Sequence, residues 1–322
     1  MFVGAYKRQY KNKRLPEGSF LLEKMNKDHE ILINGSPLCI EVAPSRLQLR
    51  VGCLGPAGTY TETARHNLLG DYLSQMESKF LPSNSAVIQK VEDGELDLGV
   101  VPVENSTEGD VVEVLRELNY AKRVRILAET ILGIKHSLIG RLGVSLEQIR
   151  SHPQALAQCR SFLLKNYPTV SQQQSLSTTA AVEAAVIDNK IAAIASSRAA
   201  EIYGLSTIAE DIGDIVGNST RFLVIGRGET SPTGYDATAL IFTPVNDQVG
   251  ILAKCLTLFS SYGINLTKID SRPTGALREY DFLVTLDGHI QDSAVKGAVT
   301  ELRTKYCPSL RVLGSYRRSV GL

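Results

Sequence analysis

Four short segments of this 322-residue chain combine glycine, hydroxyl and amide side chains in a way that could bind a small anion. They read G-P-A-G-T-Y-T-E at 55–62, P-V-E-N-S-T-E-G at 102–109, S-T-T-A-A-V at 177–182 and G-N-S-T-R-F at 217–222. The first three lie at the start of a predicted helix, the first two of them directly after a predicted strand, and the fourth lies at the entry to a predicted strand. Helix N-termini attract anions, and open α/β sheets bind ligands beyond the carboxyl ends of their strands.

The side chains in these segments supply hydrogen bonds and do not include a strong nucleophile. Asn105, Ser106 and Thr107 together offer several donors and acceptors, and Thr220 carries a hydroxyl that could donate. Arg221 is a planar donor suited to a carboxylate. No Ser/His/Asp or Cys/His arrangement can be identified from spacing. The pattern therefore favours a small carboxylate ligand and chemistry that depends on positioning and hydrogen bonding.

Each segment also has a purely structural interpretation. Thr59 with Glu62 three residues later matches a capping box, so a capped turn without a ligand is the stronger interpretation for the first segment. Helix capping is also the stronger interpretation for 177–182. For 102–109 and 217–222 the structural and the ligand-binding interpretations are equally supported. In 102–109 one helix cap does not explain the whole polar cluster. In 217–222 the segment could be a surface turn in which Arg221 forms a salt bridge.

Composition excludes several classes of protein. Hydrophobic residues make up 43% and charged residues 21%, which is typical of a soluble globular protein and not of a disordered chain. The sequence contains no run of 18 or more apolar residues, so a membrane-spanning helix is not predicted. The net charge of +1 argues against a nucleic-acid partner. Five scattered cysteines without a C-x-x-C pair argue against a disulfide framework and a zinc site, and we predict neither a metal nor a cofactor.

The N-terminus carries an uneven share of the charge. The first 14 residues contain five basic residues and no acidic one. A disordered basic tail is the simplest interpretation, and a transit peptide is the alternative. We therefore expect a cytoplasmic protein, or a plastid protein if this segment is a transit peptide. Residues 1–49 show little periodicity and are predicted to be a partly disordered extension.

The elements that would position the polar segments form two blocks. From residue 50 to 228, short apolar strands alternate with helices, which predicts a largely parallel α/β sheet. The predicted strands lie at 50–54, 98–103, 191–195, 206–211 and 222–225, and the predicted helices at 62–69, 111–118, 154–164 and 179–187. A linker is predicted at 229–236.

The second block, residues 237–322, follows a compact plan. Strands are predicted at 239–243, 264–269, 280–286 and 310–313, and helices at 249–262 and 294–303. The order strand, helix, strand, strand, helix, strand is that of the ferredoxin-like fold.

Five motifs, in order, make residues 50–322 resemble the prephenate dehydratases that carry a C-terminal ACT regulatory domain. The family patterns and their positions are L-G-P-x-G-T-(F/Y)-(S/T) at 54–61, P-(I/V)-E-N-S-x-x-G at 102–109, S-H-P-Q-A-L-x-Q-C at 151–159, S-T-x-A-A at 177–181 and N-x-T-R-F at 218–222.

The resemblance implies an α/β catalytic domain of two lobes, similar to a periplasmic binding protein, with the site in the cleft. One lobe would span about 50–128 with 219–228, and the other about 129–218. The implied reaction converts prephenate to phenylpyruvate in phenylalanine biosynthesis. Thr220 would be the catalytic hydroxyl. The residues expected to bind the substrate are Thr59, Asn105, Ser106, Ser177, Thr178 and Arg221.

The small domain resembles the ACT fold and implies feedback regulation by L-phenylalanine. The effector residues implied by the family motifs are Gly250, Leu252, Asn265, Leu266, Asp270, Ser271, Arg272 and Pro273. Asp270 stands where glutamate is usual, and only Gly250 and Leu252 remain of the usual P-G-A-L. A homodimer or homotetramer is expected.

Three alternatives remain open from the sequence. An arogenate dehydratase would perform the same chemistry on an aminated substrate. A prephenate decarboxylase without dehydration is disfavoured by the retained Thr-Arg-Phe sequence. A non-catalytic sensor of an aromatic acid is disfavoured by the intact pair of Thr220 and Arg221.

Overall fold

A computed structural model describes residues 32–33, 36–40, 48–245, 248–274 and 280–319. The predictions for the basic first 14 residues lie outside these ranges. The described residues form two α/β lobes and a C-terminal domain.

The first lobe is built on a six-stranded sheet with the order β4-β3-β5-β13-β7 and a short β6 paired to β5. Strands β4, β3 and β5 are parallel, whereas β13 is antiparallel to both of its neighbours, so the sheet is mixed and the prediction of a largely parallel sheet is wrong here. The strands are β3 (Leu49–Leu54), β4 (Met76–Leu81), β5 (Leu98–Asn105), β6 (Gly109–Asp110), β7 (Arg125–Gly133) and β13 (Ser219–Gly226). The helices are α1 (Tyr60–Leu69), α2 (Asn84–Glu92) and α3 (Val112–Tyr120), with a 3-10 helix at Gly70–Gln75.

The second lobe has a five-stranded sheet with the order β10-β9-β11-β8-β12, in which β8 is antiparallel to its neighbours. The strands are β8 (Ser137–Gly140), β9 (Gln148–Ser151), β10 (Ser171–Gln174), β11 (Ile191–Ala195) and β12 (Ser206–Ala209). The helices are α4 (Pro153–Gln158), α5 (Arg160–Asn166), α6 (Thr178–Ile187) and α7 (Ser197–Tyr203). The single helix predicted over 154–164 is thus divided at Cys159.

The chain crosses between the lobes twice. Residues 134–136 lead out of the first lobe and residues 210–218 lead back. The two crossing segments are hydrogen-bonded to each other, from the Ile134 N–H to the Asn218 carbonyl at 2.8 Å and from the Ile212 N–H to the His136 carbonyl at 2.8 Å. This paired segment is the hinge of the two-lobed unit. The predicted lobe boundary at 128/129 was set too early, because β7 continues to Gly133.

A small third sheet joins the N-terminal extension to the segment that leaves the first lobe. It contains β1 (Leu32–Ile33), β2 (Ser36–Ile40) and β14 (Gly228–Thr230), in that order. Ile33 and Leu38 are buried in the core of the first lobe. These residues of the predicted extension are therefore part of the core of the first lobe. The predicted linker is also shortened to 231–235, because Thr230 ends β14 and Asp236 begins the next strand.

The C-terminal domain confirms the predicted β-α-β-β-α-β plan. Its strands are β15 (Asp236–Thr243), β16 (Leu266–Pro273), β17 (Tyr280–Asp287) and β18 (Ser309–Arg317), in the sheet order β16-β17-β15-β18. Its helices are α8 (Ile251–Ser261) and α9 (Ser293–Lys305). Both helices cover one face of the sheet, over a core that includes Phe242, Phe259, Val284 and Leu302.

The other face of this sheet packs on the first lobe. Leu313 and Tyr316 of β18 share a core with Leu118 and Ile126. Between them Gly314 lies so close to β7 that a Cβ atom there would stand 2.2 Å from the Ile126 carbonyl oxygen. The two domains therefore meet backbone to backbone along β18 and β7.

Candidate active site

A β-bulge in strand β5 determines which side chains reach the cleft. In the pairing of β13 with β5, Arg221 lies opposite Glu104 and Phe222 lies opposite Pro102, so Val103 has no partner. A bulge redirects the side chains that follow it. Val103 packs in the core shared with the C-terminal domain, and Glu104 faces the same side, where it contacts Arg221. The next residue of β5 is thereby turned to the opposite face.

On that opposite face Asn105 meets Thr220. The Asn105 Nδ2 donates to Thr220 Oγ1 at 2.8 Å and to Asn218 Oδ1 at 2.9 Å. Thr220 and Asn218 are 8% and 7% exposed, so the cluster is nearly closed to solvent. The structure therefore brings together two motifs that lie more than 100 residues apart in the chain.

Ser106 and Thr107 form the turn beside this cluster. The backbone N–H of Thr107 donates to Asn105 Oδ1 at 3.0 Å, and the Thr107 hydroxyl donates to Asn218 Oδ1 at 3.0 Å. The Ser106 hydroxyl accepts from the Ser219 N–H at 2.9 Å. Helix α3 begins after Val111 without a side-chain cap. The alternative in which Ser106 or Thr107 merely caps this helix is therefore wrong.

Gln158 extends the cluster across the hinge to the second lobe. Its Oε1 accepts from Asn218 Nδ2 at 3.3 Å and pairs with His136 Nε2 at 2.8 Å, while its Nε2 donates to Glu108 at 3.1 Å. We call the side chains joined by these contacts the hinge cluster: Asn105, Ser106, Thr107, His136, Gln158, Asn218 and Thr220. The sequence interpretation missed the bridge that Gln158 makes. Gln158 and Asn218 each belong to one of the five motifs, and that membership was the signal that could have identified them.

Thr59 and Ser177 act as helix N-caps, on the first and the second lobe respectively. Thr59 accepts from the Glu62 N–H at 3.2 Å at the start of α1, and Ser177 accepts from the Ala180 N–H at 3.0 Å at the start of α6. Thr178 is the first residue of α6. Among the described residues, no hydrogen bond links these three side chains to Thr220.

The glycine-rich turn at 55–58 holds the lobes together above the hinge. The Ser196 hydroxyl of the second lobe donates to the Gly58 carbonyl at 3.1 Å, and the Tyr203 hydroxyl donates to the Ala57 carbonyl at 3.4 Å. The start of α1 therefore lies against the second lobe, where it can face a ligand in the cleft.

Arg221 does not join Thr220, because adjacent residues of a strand point to opposite faces. Its guanidinium donates to Glu104 at 2.9 and 3.1 Å and to Glu129 at 3.3 Å, on the face covered by the C-terminal domain. The structure therefore does not place Arg221 where it could bind a substrate carboxylate beside Thr220.

His136 is a buried titratable group at the hinge. Its Nε2 is bound to Gln158, and its Nδ1 has no hydrogen-bond partner among the described residues. Burial lowers the pKa of His136, and the hydrogen bond to Gln158 offsets this only in part. The neutral form therefore predominates at neutral pH, because a proton on Nδ1 would have no acceptor.

We expect the free energy of unfolding to fall as the pH drops below 6.5, the ordinary histidine value. A group whose pKa is lower in the folded state binds protons preferentially when unfolded, so acid favours unfolding. Urea midpoints at about pH 7.5 and about pH 5.5 measure this effect. The His136→Asn variant should show a smaller loss, and His152→Asn, which keeps a capping side chain at the half-buried N-cap of α4, serves as the control. Equal acid losses in the wild type and in His136→Asn would contradict the prediction.

The predicted effector residues lie along one edge of the C-terminal domain. Gly250 caps α8 with a φ of 79°, a left-handed conformation that favours glycine, and Leu252 follows in the first turn. Asn265 precedes the edge strand β16, which contains Leu266, Asp270, Ser271, Arg272 and Pro273. The Asp270 carboxylate pairs with Arg272 at 2.6 Å.

The described residues contain neither a group of candidate metal ligands nor a helix that could span a membrane. No three His, Cys, Asp or Glu side chains there are grouped as metal ligands. No helix in those ranges has the length and apolar character that crossing a membrane requires.

The fold and the hinge cluster define a class: a two-lobed, cleft-forming α/β protein with an ACT-type module docked on one lobe. The family model for prephenate dehydratase matches residues 51–230, and the ACT domain model matches residues 240–304. The chain belongs to the prephenate dehydratase family.

Three relatives cover most of the chain. The bifunctional chorismate mutase/prephenate dehydratase of Aquifex aeolicus is 38% identical over 278 residues, which span 85% of this chain and 75% of that protein. The crystal structure of prephenate dehydratase from Arthrobacter aurescens, in complex with L-Phe, is 34% identical with a TM-score of 0.77 and covers 84% of this chain and 90% of that one. The structure of GqqA, a novel type of quorum-quenching acylase, is 26% identical with a TM-score of 0.73. The match covers 84% of this chain and 98% of the GqqA chain.

Proposed function

We propose that the protein converts prephenate to phenylpyruvate, with Thr220 assisting the departure of the ring hydroxyl. One contact carries the proposal. Asn105 Nδ2 donates to Thr220 Oγ1 at 2.8 Å, so the oxygen acts as the acceptor and the hydroxyl proton is left to donate elsewhere. A donor aimed at developing negative charge in a closed site lowers the barrier of a reaction.

The reaction balances without a cofactor. The bond between the ring and its carboxylate breaks and releases carbon dioxide, and its electron pair enters the ring. The carbon–oxygen bond to the hydroxyl breaks with its electron pair going to the oxygen, which takes one proton from the solvent and leaves as water. The prephenate dianion and one proton thus give the phenylpyruvate anion, carbon dioxide and water. Aromatisation supplies most of the driving force. A threonine hydroxyl is too weakly acidic to ionise at neutral pH, so its contribution is a hydrogen bond to the leaving oxygen.

The substrate is a dianion, and the N-termini of two helices, one on each lobe, are suited to its carboxylates. The starts of α1 and α6 carry the hydroxyl caps Thr59 and Ser177, and their remaining backbone N–H groups attract anions. We include Ser106 and Thr178 in the same binding role. Arg221 is left out of it, because its guanidinium is engaged by Glu104 and Glu129 on the other face.

Two other activities compete with this proposal. Arogenate dehydration would use the same hydroxyl, and nothing in the described site discriminates between the two substrates. An acylase activity, as named for GqqA, would require an activated nucleophile. Thr220 has an amide donor beside it and, among the described residues, no hydrogen bond to a basic side chain, which favours the dehydratase.

The deciding experiment is to incubate the purified protein with prephenate and to measure phenylpyruvate. We expect turnover without added metal or cofactor. Arogenate is assayed in parallel, with phenylalanine as the measured product, and an acyl-homoserine lactone tests the acylase. Product from arogenate alone, or lactone deacylation alone, would replace the proposed function. A protein that binds prephenate without product would be a sensor.

We further propose that L-phenylalanine inhibits the reaction through the C-terminal domain, in a cytoplasmic homodimer or homotetramer. The Arthrobacter aurescens relative was crystallised with L-Phe, and this chain keeps Gly250 and Leu252 at the start of α8. Within the described ranges β16 is also an edge strand with one neighbour in its sheet, so its other side offers backbone groups that a second copy could pair with. Activity that remains unchanged in millimolar phenylalanine would contradict this regulation.

A further inference from the structure

A line of charged side chains connects the edge strand of the C-terminal domain to the back of the hinge cluster. Lys268 of β16 contacts Glu104 at 3.2 Å and is hydrogen-bonded to Asp110. Arg272 lies 3.4 Å from Asp110, and Arg221 holds Glu104 from the other side. We define this set as the interdomain charge cluster: Glu104, Asp110, Arg221, Lys268 and Arg272.

The two carboxylates of the cluster lie directly opposite each other on a hairpin. Strand β6 pairs with β5 so that Glu104 faces Asp110 and Asn105 faces Gly109. Like charges directly opposite on neighbouring strands destabilise the pairing. A cation must therefore stabilise this hairpin. Within the described residues, Lys268 contacts both carboxylates, whereas Arg221 contacts Glu104 and Arg272 contacts Asp110.

Three members of the cluster are largely shielded from solvent, which strengthens their interactions, whereas Glu104 is 39% and Arg272 28% exposed. The exposed fraction of the side chain is 16% for Lys268 and 18% each for Asp110 and Arg221. Burial alone would raise the pKa of Glu104, but Arg221 and Lys268 outweigh it and hold the pKa below its usual range. Glu104 is therefore charged at neutral pH, directly opposite Asp110 on the hairpin.

The hairpin also positions the proposed catalytic groups. Asn105 follows Glu104, and Thr220 precedes Arg221, so the pair of Glu104 and Arg221 on one face aligns the pair of Asn105 and Thr220 on the other. The Asn105 Oδ1 accepts from two N–H groups of the hairpin turn. A shift of the hairpin therefore moves the amide that orients the Thr220 hydroxyl.

We propose that Lys268 is a positioning residue for the reaction: the C-terminal domain supplies the cation that joins Glu104 to Asp110 and so holds Asn105 against Thr220. This inference rests on the proposed function for its kinetic consequence. It also gives the effector strand a direct route to the site, because any movement of β16 withdraws the lysine from the hairpin.

The test uses the full-length protein with Lys268→Met, which keeps the length of the side chain and removes its charge. We expect kcat to fall about tenfold with KM changed much less, because the change affects alignment more than binding. Lys268→Arg should restore most of the activity. The matched control is Lys296→Met, at an exposed position on α9.

The discriminating variant is the double change Asp110→Asn with Lys268→Met. It removes one of the two opposed charges, so kcat should recover to within about threefold of the wild type. A lysine that only docks the domain predicts no recovery, because the double variant has lost the same contact. No recovery, or an equal loss in Lys296→Met, would overturn the proposal.

A second measurement is independent of the activity. Hydrogen exchange followed by mass spectrometry should be faster in peptides covering 104–111 for Lys268→Met and should return towards the wild-type rate in the double variant. If the wild type does not act on prephenate, the proposed function fails. The hydrogen-exchange rates then still test whether Lys268 stabilises the hairpin. Unchanged exchange at 104–111 in Lys268→Met would overturn the inference even in an active enzyme.

Discussion

Replacement of Thr220 by alanine is expected to lower kcat for prephenate by about 1,000-fold, the range for loss of one donor that acts on a leaving or developing anion. KM should change much less, because the helix N-termini that we propose to bind the carboxylates remain. The measurement is the steady-state rate of phenylpyruvate formation. Thr220→Ser keeps the hydroxyl and should retain activity to within about tenfold of the wild type.

The fold should tolerate this change. Without the hydroxyl, Asn105 Nδ2 still donates to Asn218 Oδ1 at 2.9 Å and to the Ser219 carbonyl at 3.1 Å, so no buried donor is left unsatisfied. We expect a loss of stability of about 1 kcal/mol. An alanine variant that turned over prephenate at the wild-type rate would remove Thr220 from its proposed role.

Replacement of Gly314 by alanine is expected to be the most damaging single change to the docking of the two domains. The added Cβ would lie 2.2 Å from the Ile126 carbonyl oxygen and 2.7 Å from its backbone nitrogen. Backbone atoms in the middle of a sheet cannot move aside as a flexible side chain can, so β18 and β7 must separate. Overpacking of this kind costs about 3 kcal/mol.

Urea denaturation and limited proteolysis of the 231–235 segment measure this effect. We expect a lower urea midpoint and faster cleavage between the domains. Gly70→Ala is the matched control, because a Cβ there meets nothing within 4 Å. A Gly314→Ala protein with the midpoint and cleavage rate of the control would show that the domains do not meet as closely as described.

The sequence predicts the fold class well where the pattern is local. The small domain is correct element by element, because each strand and helix has its own apolar period and a turn at each end. The elements at 76–81 and 84–92 were missed, since M-E-S-K-F-L alternates only weakly. The strand at Ser36–Ile40 was missed for a different reason. Its partner, Gly228–Thr230, lies about 190 residues away, and no local pattern reports such a pairing.

In the candidate site too, the sequence indicates the local motifs but not the long-range pairing that orients their side chains. The motifs assign Asn105 and Thr220 to one site, and the two side chains meet in the structure because their strands pair in the sheet. The side of the sheet that each side chain faces depends on the unpaired Val103, which the sequence does not mark as a bulge. Arg221 was assigned to the substrate because its chemistry suits a carboxylate. Glu104 and Glu129, which already occupy it, lie on the neighbouring strands β5 and β7, so only the pairing of the sheet reveals these contacts.

The pairing of β13 between β5 and β7 limits how the length of this chain can vary among related proteins. A strand that slips by one residue exchanges its two faces. A single insertion or deletion inside β13 would turn the Arg221 guanidinium into the cleft and the Thr220 hydroxyl into the domain interface. Length changes are better accommodated in exposed stretches such as 213–217, where the chain can loop out before the strand is engaged. The crossing segment 210–218 can therefore change in length during evolution only if the register of β13 is preserved.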